Sequence, residues 1–256
     1  MITIELSSLA FLCYLLSATS FAAAVLHVES RSGAGAARSM YARAFACAGA
    51  LLQFGAIGAL CITSRESPFA SSFGTLSVAA WLIVLATLAL DMRGSLPALD
   101  GSAVALGAAV LFWSVADSRS PVASTPVLKG SLVSLHVMSI VAGTALMAVA
   151  FAGAVIYLVQ NSLLRQHRVS GVFRRLPPLE TLDRVAFHAV SIALPLMTIG
   201  LCLGVARAFS GGLKQPPEAF LTDPHTIFSA VMWCLYVAYL CARLLAGWRG
   251  ARLQYL

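Results

Sequence analysis

Seven apolar stretches, each close to the length of a bilayer crossing, constrain this chain more than any other feature. They fall at approximately 5–28, 44–62, 73–91, 97–116, 131–160, 186–208 and 226–246. A hydrocarbon core of about 30 Å takes about 20 apolar residues in helical form. In lipid only a hydrogen-bond ladder within each segment, or a closed barrel, satisfies the backbone, and runs of this length select the helix. Composition agrees: 59% of the 256 residues are hydrophobic, 11% are charged, and mean hydropathy is +0.87. A soluble domain carries about 25% charged residues. The expected fold is all-α, a polytopic membrane helix bundle of about seven transmembrane helices, with residues 1–256 forming a single integral-membrane domain. The third and fourth stretches, Ala-rich and joined by the short turn DMRGSLP, are the least marked of the seven.

The charges are placed by topology. Formal net charge is +7, which in a soluble chain would suggest nucleic acid; in a polytopic one it marks cytoplasmic loops, and no nucleic-acid partner is expected. Arg31, Arg38, Arg43, Arg93, Arg165, Arg168, Arg174, Arg175, Arg184, Arg243, Arg249 and Arg252 follow spans one, three and five or lie in the tail. The opposite side holds only Arg65, Arg119, Lys129, Arg207 and Lys214. This bias predicts an outer N-terminus and a cytoplasmic C-terminus. Glu5 stands where a cleaved signal peptide would carry its basic region, so no such peptide is expected. The longest connection, about 161–185, is basic and suits contact with anionic headgroups. Its end, LPPLETLDR, reads as a hinge: Pro177 and Pro178 can start a helix, and Glu180 and Asp183 favour its first turn. That turn would run along the headgroups before the chain enters the membrane.

Gly and Ala recur at three- and four-residue spacings in GALLQFGAIGA, GTALMAVAFAGA and GLCLG, a pattern that lets helices approach closely in lipid. Pro195 would kink the sixth span. The cysteines, at 13, 47, 61, 202, 234 and 241, form neither CxxC nor CxxCH, and read as small packing residues rather than disulfides or a c-type haem attachment.

Chemistry-bearing patterns are few. There is no phosphate-binding Gly-rich loop, no HExxH and no nucleophile elbow, so no enzyme is expected. Asp100, the one acidic residue inside an expected span, reads as an interfacial carboxylate, and Asp91 with Arg93 as a solvated turn. The histidines offer more. His27 and His188 fall near cytoplasmic ends, His167 in the basic connection, and His136 and His225 near the outer ends of the fifth and seventh spans. A lone histidine at a membrane edge is usually an interfacial polar residue. Two at one depth can supply both axial ligands of a haem iron.

Three blocks in order, SLHVMSIVAGTALMAVAFAGAVIYLVQNSLLR, LPPLETLDR…ALPLMTIGLCLGVA and TDPHTIFSAVMWCLYVAYLCARLLAGWRGAR, resemble the cytochrome c assembly family of membrane proteins. The resemblance covers residues 131–252, the expected family core. It implies a haem-handling inner-membrane protein of cytochrome c maturation that binds or presents haem b at the outer face. His136 matches the family's outer histidine, and His225, Phe209 and Phe220 would complete the cofactor site, both histidines as iron ligands. The chain departs from the full pattern in two places: the outer loop ARAFSGGLKQPPEAFLTDPHT holds no tryptophan, and YLCAR places Cys241 where relatives often have histidine. These departures resemble the HemX/YpjD-like branch. They keep open an alternative, a membrane regulator or scaffold of the HemX type that binds no haem and acts on haem biosynthesis. Expected partners are therefore other cytochrome c maturation proteins or a haem-biosynthesis enzyme, besides the lipid bilayer. A transporter ranks lower, for want of midplane polar groups and an inverted repeat.

Overall fold

The structure, a computed structural model, describes residues 2–26, 34–65, 67–92, 94, 96–117, 131–166, 176–209 and 223–255. His27, His167 and Phe220 lie outside them, as does most of the loop before Asp223. The long helices are α1 (Ile2–Leu26), α2 (Ala34–Ser64), α3 (Ser72–Asp91), α4 (Pro97–Asp117), α5 (Ser131–Arg165), α6 (Leu179–Phe209) and α7 (Pro224–Leu244). A single 3₁₀ turn, Pro68–Ala70, precedes α3, and a one-turn helix, α8 (Ala251–Gln254), follows α7. Among the described residues seven helices are long and apolar enough to cross a membrane. The chain is a multi-pass membrane protein, and the described residues hold no strand.

Successive helices run antiparallel, so two ends of the bundle can be named by residues. The His136 end gathers the starts of α1, α3, α5 and α7. The Asp183 end gathers the starts of α2, α4 and α6 with the tail.

Lipid gives helices little hydrophobic reason to associate, so small residues and side-chain hydrogen bonds hold them. In α1–α4 the buried set Ala10, Ala46, Ala50, Ala80 and Ala108 surrounds Tyr14, Val84, Val104 and Leu111. Polar groups stitch these helices together. Tyr14 Oη donates to Gln53 Oε1 (2.5 Å), and Gln53 Nε2 donates to the Ser77 carbonyl (2.8 Å). Trp81 Nε1 donates to the Ala50 carbonyl, and Ser17 and Ser114 donate to the carbonyls of Ala42 and Phe73. Every bond terminates on a group that hydrocarbon could not satisfy. A second core, Leu99, Ala145, Val149, Tyr157 and Leu182, joins α4 to the α5–α6 pair. A third, around Val190, Met197, Tyr236 and Tyr239, seats α7 and the tail.

Two sequence expectations are corrected here. Asp100 is not an interfacial carboxylate: it is 1% exposed, and its Oδ2 accepts from the Leu96 backbone N–H (3.0 Å) across the first turn of α4. Asp91 is not in a solvated turn: its nearly buried carboxylate lies 2.5 Å from Arg43 Nε on α2. The short α3–α4 connection folds both acids back against the bundle, where burial demands partners. The proline hinge also behaves differently from its reading. Pro177 and Pro178 do start a helix, but its first turn continues directly as α6. Leu182, Asp183 and Ala186 on that turn are buried in protein. The helix runs unbroken through Pro195.

Candidate functional site

Glycine lets α5 and α6 approach closely along their seam. A Cβ on Gly143 would stand 2.6 Å from Met197 Cγ, and one on Gly200 would stand 2.6 Å from Ile140 Cγ1. At the His136 end, a Cβ on Gly204 would stand 2.8 Å from His136 Cε1 and 3.2 Å from Nδ1. Gly204 therefore leaves the space that the half-buried imidazole occupies, and Gly200, one helical turn before it, lets Ile140 and the His136 backbone come close.

In that space, His136 Nδ1 is 2.6 Å from the Gly200 carbonyl oxygen. A carbonyl only accepts, so the ring nitrogen is the donor and Nδ1 carries the proton. In the neutral imidazole Nε2 then keeps its lone pair. Metal-ligating histidines are commonly fixed in this way, the second nitrogen donating to a carbonyl or carboxylate. The start of α5 is further tied to the α2–α3 turn by Ser134 Oγ donating to Ser67 Oγ (3.2 Å). Phe69, Val78 and Val141 pack beneath that turn, with Val137 against them.

The other site residues are placed less closely. Phe209 ends α6, 66% exposed. It lies five residues beyond Gly204, roughly 140° further round the helix. Among the described residues no ring contact joins it to His136. His225 is the second residue of α7, at the same end of the bundle as His136, and its side chain lies outside what is described. His188 is exposed and bonds only to its own helix, Nδ1 to the Arg184 carbonyl (2.7 Å). Cys241 is exposed on α7, not packed as its sequence reading had it; Cys47, Cys202 and Cys234 are exposed as well. No cluster of three His, Cys, Asp or Glu side chains suited to a metal ion occurs among the described residues.

Sequence reasoning missed the polar cluster at the opposite end. Asp183 Oδ2 accepts from Arg243 Nη1 at 2.6 Å, and its Oδ1 accepts from Gln254 Nε2 at 3.1 Å. The same Arg243 guanidinium stands 4.7 Å above the Phe187 ring, a favourable arrangement for a cation. Gly247 (φ +64°) and Gly250 (φ +72°) turn the tail back toward the bundle through left-handed backbone that a side chain would strain. The Trp248 backbone N–H caps α7 on the Ala242 carbonyl, and the Tyr157 hydroxyl of α5 lies against Gly250, 3.0 Å from where a Cβ would stand. The leucine-aspartate lead-in, the tyrosine of α5 and the Gly-Trp-Arg-Gly-Arg tail thus meet in one cluster, as a structural latch.

Comparison with known proteins places this geometry. The model of the family described as "Cytochrome C assembly protein" matches residues 59–256, most of the chain, and the chain belongs to that family. Protein HemX of Brevibacillus brevis is 25% identical over 177 residues, covering 69% of this chain and 64% of that protein. Cytochrome c biogenesis protein CcsA of Guillardia theta is 22% identical over 78% of this chain and 71% of its own length. The CcsA of Gloeothece citriformis is 27% identical over 65% of this chain and 55% of its own. The chain thus spans between about half and three quarters of these relatives.

Proposed function

We propose that this protein handles haem during cytochrome c assembly in the bacterial inner membrane, with His136 supplying one axial ligand through Nε2. The observation that carries the reading is the 2.6 Å bond from His136 Nδ1–H to the Gly200 carbonyl. It orients the imidazole, fixes its tautomer and leaves one nitrogen lone pair free, which is what an iron ligand requires. Gly204 keeps the ring in that pose by leaving no side chain in its place. His225, at the same end of the bundle, is the proposed second ligand, and Phe209 and Phe220 would border the porphyrin. The arginine bias of the sequence supports an outer-face location for that end, with other maturation proteins as partners. Bound there, haem would supply the iron porphyrin that cytochromes c receive. The chain's own part is to hold and present it.

The test is an absorbance spectrum of detergent-purified protein from haem-replete cells, oxidised and then reduced. Wild type is compared with His136→Ala and His225→Ala. A Soret band with sharp reduced bands is expected for wild type and is lost or shifted in each variant. A folded wild type without a Soret band, even after added haem, overturns the proposal. The similarity to HemX then favours the second reading, a regulator or scaffold acting on a haem-biosynthesis enzyme through the basic connection.

A further inference from the structure

A cleft of about 450 Å³ lies between α5 and α7, floored by α6 and closed at the Asp183 end by the tail. Met147, Phe151, Ala154, Val190 and Tyr236 line its body, and Gln254 its closed end. Its volume falls in the usual range of small-molecule sites, roughly 300–1,000 Å³. Phe151, 63% exposed, and Leu235, 41% exposed, stand among its walls, so the opening faces sideways, where a membrane protein meets lipid. No histidine, cysteine or carboxylate lines it, and its walls are almost wholly apolar. The ligand it suits is apolar and enters from the bilayer.

The closed end specifies the other half of that ligand. The segment that contributes Gln254 and Tyr255 to the lining also carries Arg249 and Arg252, both exposed. Arg252 rests 4.2 Å over the Trp248 ring. Asp183, the carboxylate of the tail cluster, is already held by Arg243 and Gln254. An apolar slot whose end segment carries two exposed arginines, neither with a carboxylate partner among the described residues, is complementary to an acyl chain attached to a negative headgroup. We infer that the cleft is a specific site for one anionic phospholipid, its acyl chain along α5 and α7 and its phosphate toward Arg249 and Arg252. The arginine bias puts this end in the cytoplasmic leaflet, where anionic lipid is available. The site is independent of His136 and of any haem.

Native mass spectrometry of the full chain tests this, first as purified and then delipidated and titrated with phosphatidylglycerol or phosphatidylcholine. Wild type should retain one anionic phospholipid and prefer phosphatidylglycerol. Ala154→Phe, which fills the cleft, should abolish retention, with circular dichroism checking its helicity. Should that variant fail to fold, Arg249→Gln with Arg252→Gln is decisive alone. It should bind phosphatidylglycerol about thirtyfold more weakly, as loss of two interfacial cations implies, with phosphatidylcholine unchanged. Equal binding of the two lipids by wild type, retention by folded Ala154→Phe, or recovery of haem from the cleft would each overturn the assignment.

Discussion

The two ends of the α5–α6 pair hold polar groups under the same restriction, little water and few partners, and treat them in opposite ways. At the Asp183 end both carboxylate oxygens are bonded, to Arg243 and Gln254, and the guanidinium is further covered by Phe187. At the His136 end one ring nitrogen is bonded to Gly200, and among the described residues the other has no bond. A closed cluster can only hold helices together. An imidazole fixed at one nitrogen and free at the other can hold a ligand. The difference separates latch from candidate site more sharply than residue type, because an aspartate–arginine pair would ordinarily attract more functional interest than one histidine.

The largest effect should come from opening the closed end. Arg243→Ala leaves the Asp183 carboxylate buried and half-partnered, and should cost about 3 kcal/mol, read as a lower melting temperature in detergent. The pair Asp183→Asn with Arg243→Met removes both charges and should recover at least half of that loss. If Arg243→Ala melts like wild type, the latch is no latch. Next in size is Gly204→Val. Its side chain would enter the space of the His136 ring, costing about 2 kcal/mol and displacing the imidazole, so any Soret band should weaken with the melting temperature. Gly143→Ala, whose Cβ meets the flexible Met197 side chain, should be milder and leave the spectrum intact. Away from both ends, Gln53→Leu strands the Tyr14 hydroxyl and should cost about 1–2 kcal/mol without touching haem. Smallest is His188→Gln: exposed and bonded only to its own helix, it should change stability by less than about 0.5 kcal/mol and leave the spectrum unaltered.

The membrane fold was legible because apolar run length is a local property, and all seven expected spans correspond to helices. Helix ends were less so: α6 begins at Leu179, well before the apolar run, because its first turns are buried by protein contacts that hydropathy does not register. Asp183 was read through its immediate neighbours as a residue of the first helical turn. Its actual partners lie 60 and 71 residues away, and nothing in LETLDR announces them. Asp91 was misread for the same reason, its partner being Arg43 on α2; Asp100 bonds locally to Leu96 but is buried by packing that its neighbours in sequence do not announce. His136 was singled out from the sequence, but its orienting partner was not, since a carbonyl leaves no mark on residue type. Only Gly200 and Gly204, spaced by four, hinted at a close approach. The small-residue faces predicted close helix approach, and α5 and α6 meet through theirs.

The bond between His136 and Gly200 has one more implication, for genetics. Its acceptor belongs to the main chain, and every codon at position 200 encodes a residue with that same oxygen. A screen for loss-of-function substitutions should therefore never recover the acceptor itself. It should instead recover bulky replacements at positions 200 and 204 together with changes at 136, and a saturation map that scored side chains alone would leave the orienting contact blank.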